Sequence, residues 1–203
     1  METKIKICGL KTVEDIYIIN RYPVDYVGFV LAPSKRQITP DQAKEMGRNL
    51  YQSIKKVGVF VNTPMDEVNQ IAEYCQLDIV QLHGDEKPED CEKAIVPVWK
   101  SVTIKNQLSL EELCHYQKID GFLMDGANAG SGKTFDWHWI ECFSQEYFTI
   151  LAGGLSAENI HEAIRQVKPH VVDISSGVEV DGRKNEEKIK EFIRRVKSYG
   201  NES

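Results

Sequence analysis

Alternation constrains this chain more than any other feature. Eight short β-rich runs recur from end to end: 4–10, 25–32, 55–62, 78–84, 96–104, 120–126, 148–154 and 171–177. Between and after them lie stretches at helical spacing, such as "TVEDIYIINRY", "MDEVNQIAEYC", "DWHWIECFS" and "SAENIHEAIRQV". Thr39 and Pro40 mark a helix start, with a capping hydroxyl followed by proline at the first helical position. Strands alternating with helices predict a parallel sheet covered by helices. Eight such units in 203 residues, with no linker between them, predict an α/β chain folded as a single (β/α)8 TIM barrel over 1–203. An open doubly wound sheet is the competing architecture. It would need a glycine-rich phosphate turn after the first strand, and "CGLKTVED" has no such pattern.

Charge and cysteine usage remove several classes of function. The net charge is -6, whereas nucleic-acid binders usually carry a basic stripe. No apolar run approaches the roughly 18 residues of a membrane span, and "METKIKICGL" lacks signal-peptide anatomy. The expected protein is therefore cytoplasmic, with neither nucleic acid nor membrane as partner. It is also expected to be a monomer, because no exposed apolar stripe is evident. Five scattered cysteines without CxxC or Cys/His spacing form neither a disulfide framework nor a metal site, and they suit a reducing compartment.

In a barrel of this kind the active site lies at the C-terminal ends of the strands. Polar groups gather there from nearly every strand. Residues i and i+2 share a face. Ile5 and Ile7 thus face the helices, and Lys6 and Cys8 face the axis, where the lysine is expected to favour a thiolate. Gln81 pairs with His83 in the same way, and Leu123 with Asp125. The loops after the seventh and eighth strands, the usual phosphate site, carry Gly153-Gly154 and Ser176-Gly177. Beside them runs "ANAGSGKT" (127–134), one residue away from a nucleotide-binding P-loop. A P-loop opens straight into a helix, and Thr134 runs instead into "FDW". We read the stretch, with Gly130 and Gly132, as a loop that closes over a phosphate held by its neighbours. Mg²⁺-dependent nucleotide binding remains the competing function.

Seven segments, in order, resemble the phosphoribosylanthranilate isomerase family: "KICGL", "VGFVLAPSKRQIT", "VGVFVN", "VQLHGDE", "GSGKTFDW", "LAGGL" and "DISSGVE". The resemblance implies a cofactor-free, metal-free isomerase acting on a small phosphosugar by an Amadori rearrangement. It further implies Cys8 as general base, Asp125 as general acid and Arg36 at the substrate's anthranilate carboxylate. Gln81 and His83 are implied as pocket residues, and Gly154, Asp173, Ser176 and Gly177 as the phosphate region. Other polar residues have plainer readings. Cys75, Cys91, Cys114 and Cys142 are expected in helix packing. His115, His138, His161 and His170 are expected at the surface. The run "RKNEEKIKEFIRR" reads as the solvated face of the last helix.

Overall fold

Strand β1 (Lys4–Cys8) shows how the alternation becomes a barrel. Ile5 and Ile7 are fully buried against the helices, while Lys6, equally buried, points the other way. The computed structural model describes residues 2–104, 113, 115–126, 135–141 and 143–199. Seven further strands repeat the pattern: β2 (Tyr26–Val30), β3 (Lys55–Phe60), β4 (Ile79–Leu82), β5 (Val98–Ile104), β6 (Gly121–Gly126), β7 (Thr149–Leu151) and β8 (Val171–Ile174). They pair in sequence order, all parallel, and β8 closes onto β1 through Lys4↔Val171 to Ile7↔Ile174. The expected (β/α)8 barrel is what forms.

Two cores result. The larger lies between sheet and helices. The smaller plugs the barrel axis with Tyr26, Val57, Ile79, Trp99, Leu123, Ile150, Ala152 and Val171. Trp99 meets Tyr26 edge-on at 5.0 Å between ring centroids, a favoured aromatic geometry. The plug leaves only the upper part of the axis free for polar side chains.

The helices follow local signals. Helix α1 (Val13–Ile19) and helix α2 (Pro40–Asn49) both begin with a threonine capping box, from Thr12 and Thr39. Helix α3 (Met65–Cys75) ends on Gln76 in the left-handed conformation, and α4 (Pro88–Cys91) is a single turn. Helix α5 (Ile160–Val167) buries Ile160, Ala163, Ile164 and Val167, an i, i+3, i+4, i+7 stripe. Each large member of that stripe contributes about 1.5–3 kcal/mol of burial. Helix α6 (Glu186–Tyr199) packs Ile189, Phe192, Ile193 and Val196 inward.

The structure departs from the sequence reading in two places. The expected helix over "DWHWIECFS" is instead a pair of 3-10 turns, Trp137–Ile140 and Phe143–Gln145, the first capped by Asp136. The charged run before α6 is not all solvated. Glu179–Val180 (β9) and Arg183–Lys184 (β10) form a small antiparallel hairpin, and Lys184 is buried. Its two-residue turn places Asp181 and Gly182 at φ 49° and 72°, the positive-φ pair that hairpin twist demands.

Candidate active site

Register carries the inward face of the strands up to the rim. Lys6 lies level with Tyr26 on one side and Asp173 on the other. Its ammonium donates to Asp173 Oδ2 at 2.8 Å and to Gln81 Oε1 at 3.0 Å. Burial works to lower the Lys6 pKa, but Asp173 and the Cys8 sulfur beside it outweigh that and raise it, so the cation persists. Removing either partner of such a pair costs about 3–5 kcal/mol, because it strands a buried charge. Asp173, grouped above with the phosphate region, is thus the lysine's counter-ion inside the barrel.

Cys8 stands one inward position above Lys6 and is buried. The expected thiolate is not favoured here. Burial raises the Cys8 pKa above its ordinary 9.0; Lys6 and Lys184 pull it down, and Asp173 pushes it up again. Lys6 is the strongest influence favouring the thiolate, but burial outweighs it and the Asp173 carboxylate works against it.

Across the axis, His83 follows β4 and keeps the ladder through its N–H to Phe60 O at 2.8 Å. Its Nδ1 lies 3.0 Å from Gln81 Nε2, and its Nε2 lies 3.6 Å from Asp125 Oδ2. Asp125 sits level with Thr103 of β5. Gly153 turns tightly beside it at φ 82°; a Cβ there would come within 2.6 Å of Asp125 Oδ1. Cys8 on β1 and Asp125 on β6, separated by β7 and β8, therefore face one polar cup from different walls.

Arg36 leaves the loop after β2 and lies over Gly9, whose φ is 78°. A side chain at Gly9 would run into Arg36 Cδ. The guanidinium donates from Nε and Nη2 to the two oxygens of Glu179, each at 2.7 Å. Lys184 Nζ donates to the same carboxylate at 2.8 Å and to Ser175 O at 3.0 Å. Burial would raise the Glu179 pKa, but these cations hold it down to about 2. One edge of the Arg36 fork is thus fixed by the hairpin, which aims the other.

The loops after β7 and β8 meet as expected. Gly153 and Gly154 both adopt positive φ, and Ser176–Val178 forms a 3-10 turn. A Cβ on Gly177 would strike the Leu155 carbonyl, so the two loops are in contact. Gly130 and Gly132 lie outside the described residues.

Sequence reasoning missed Glu179 and Lys184, although the Asp-Gly pair between them is a hairpin signal. It also missed Gly28, whose lack of a side chain makes room for Cys8. Lys100 and Glu86, a further buried pair at 3.0 Å, tie β5 to the loop after β4; nothing in their local pattern announces them.

Comparison with known proteins supplies the remaining finding. The family model described as "PRAI: N-(5'phosphoribosyl)anthranilate (PRA) isomerase" matches residues 5–195. A protein named N-(5'-phosphoribosyl)anthranilate isomerase from Caldanaerobacter subterraneus subsp. tengcongensis is 43% identical, over 96% of this chain and 98% of its own. The crystal structure of phosphoribosyl anthranilate isomerase from Thermus thermophilus superposes with a TM-score of 0.90 at 34% identity, covering 97% of this chain and 99% of that one. Another isomerase structure is a complex with reduced 1-(o-carboxyphenylamino)-1-deoxyribulose 5-phosphate. It has a TM-score of 0.87 and 37% identity, with 97% and 99% of the two chains covered.

Proposed function

Since the chain belongs to the N-(5'-phosphoribosyl)anthranilate isomerase family, we propose that Cys8 and Asp125 perform the two proton transfers of its reaction. The protein is an enzyme of tryptophan biosynthesis. It converts N-(5-phosphoribosyl)anthranilate, an aminoaldose, into 1-(2-carboxyphenylamino)-1-deoxyribulose 5-phosphate, an aminoketose. Asp125 protonates the furanose ring oxygen and the ring opens to a Schiff base. Cys8 then removes the C2′ proton, and the resulting enolamine tautomerises to the ketone. The two groups must reach the sugar from different sides. The observation that carries this reading is their opposition on β1 and β6 at one rim of a closed barrel.

The free edge of the Arg36 fork suits a planar carboxylate, and we assign it the anthranilate carboxylate. Backbone N–H groups at Gly153, Gly154, Ser176 and Gly177 suit the phosphate. Asp173, a carboxylate committed to Lys6, is left out of that set. We infer a cytoplasmic, monomeric enzyme. A working free thiol suits a reducing compartment, and the exposed apolar side chains among the described residues, Tyr17, Tyr51, Val61, Tyr74, Ile95 and Val180, are scattered over separate helices, loops and the hairpin.

The test follows the loss of phosphoribosylanthranilate fluorescence, with the substrate generated in place from anthranilate and phosphoribosyl pyrophosphate. Cys8→Ser and Asp125→Asn are each expected to lower kcat by about 10²–10⁴ with little change in KM. Near-normal turnover in either variant removes that residue from its role.

A further inference from the structure

Lys6 fixes the direction of every hydrogen bond that leads from it towards Asp125. An ammonium can only donate. The Gln81 amide must therefore turn its oxygen to Lys6, at 3.0 Å, which leaves Nε2 as the atom 3.0 Å from His83 Nδ1. That nitrogen can only donate, so His83 Nδ1 must accept. The imidazole proton is then on Nε2, the atom that faces Asp125 Oδ2. Lys6 and Gln81 are both almost completely buried, so no solvent rearrangement frees the amide to flip. Asp173 anchors the lysine from behind at 2.8 Å.

We propose that Lys6, Gln81 and His83 are positioning residues for the acid, holding His83 as the Nε2–H tautomer with its proton directed at Asp125 Oδ2. This replaces the expectation that Gln81 and His83 bind substrate, and it rests on the reading of Asp125 as the acid. The contact of 3.6 Å is longer than a hydrogen bond. Catalytic contacts of substrate-free sites commonly tighten in the reacting complex. As Asp125 gives up its proton, a carboxylate forms, and a neutral N–H donor aimed at it strengthens as the charge grows. The imidazole thus helps the transition state more than the bound substrate, and its loss belongs in kcat. The wrong tautomer would present a lone pair to the forming carboxylate and oppose it.

The decisive measurement is ¹⁵N NMR of the histidine-labelled, substrate-free enzyme, with the His83 signals assigned by their loss in His83→Leu. The expected pattern is a protonated Nε2 and an unprotonated Nδ1. A protonated Nδ1 in the wild type overturns the proposal, and this readout requires no variant of Gln81 to fold. In Gln81→Met the Nδ1–H form should appear, and kcat should fall by about tenfold or more with KM within about twofold. A raised KM with unchanged kcat returns Gln81 to substrate binding and overturns the chain. His83→Gln, which keeps a donor near the Nε2 position, should retain kcat that His83→Leu loses; equal loss in both counts against the proposal. Full activity of Asp125→Asn alongside the expected tautomer would defeat the acid assignment alone.

Discussion

The Cys8 sulfur occupies the space that a side chain on Gly28 would need. A Cβ at Gly28 would stand 2.5 Å from Sγ and 3.0 Å from the Cys8 Cα. These strands are locked in register there, with Cys8 level with Gly28, so neither backbone has room to yield. Gly28→Ala should therefore turn the sulfur away from its working position. The expected result is a kcat lowered by about tenfold or more with KM nearly constant, since a displacement of about 1 Å costs that much or more. Overpacking should also cost about 1–3 kcal/mol of stability. Steady-state kinetics and a denaturant titration check both effects, and an unchanged kcat would contradict the placement of the sulfur.

The raised Cys8 pKa predicts a pH dependence with a definite sign. Burial holds the thiol protonated above its ordinary 9.0 in the free enzyme. The thiolate fraction, and with it the rate of inactivation by iodoacetamide, should climb about tenfold per pH unit through neutrality. Stability runs the other way. A folded value above the unfolded one stabilises fully below the unfolded value, and the contribution disappears as pH rises through the folded value. Wild type should lose stability in alkali relative to Cys8→Ala. A plateau of the inactivation rate reached below pH 7 would refute the raised value.

Glu179 predicts an acid counterpart. Its carboxyl is held at about 2 against an ordinary 4.5. A depressed carboxylate stabilises fully above the unfolded value, and that contribution is lost as pH falls from about 4.5 towards about 2. Thermal melts across that window should show a steeper fall in wild type than in Glu179→Gln, since other paired carboxylates such as Glu86 remain in both. The same variant loosens Arg36 and should raise KM for the substrate. An unchanged KM would mean that the hairpin does not aim the guanidinium.

The barrel was legible because its evidence is periodic. Ile5 and Ile7 against Lys6 and Cys8 already display the two faces of β1, and Thr39 followed by Pro40 marks a helix start by local chemistry. That Cys8 and Asp125, the pair proposed for the proton transfers, end strands on the inward face was legible through strand alternation. Their electrostatics were not. Whether Lys6 favours a thiolate depends on Asp173, which lies 167 positions away and is brought alongside only by barrel closure. Lys184 was misread for a similar reason: charge in a run reads as solvated until a turn folds one member back. His161 and His170 were expected at the surface, yet Nε2 of the first meets the Arg195 carbonyl at 2.8 Å and Nδ1 of the second accepts from the Thr149 N–H at 3.1 Å. A lone histidine carries no pattern that distinguishes these cases.

The amide between Lys6 and His83 has a consequence for what happens after the product leaves. With Cys8 as base and Asp125 as acid, as proposed, one cycle puts a hydrogen on sulfur and takes one from a carboxyl group, so the enzyme that releases product is not the enzyme that bound substrate. An amide can orient its neighbours but does not readily pass a proton along, and Gln81 interrupts the chain leading from Lys6, beside the thiol, towards the acid. On that proposal the two walls are reset separately, through solvent. A hydrogen that the thiol does not hand back as the enolamine tautomerises then exchanges with solvent, and the enzyme's memory of each substrate lasts only that long.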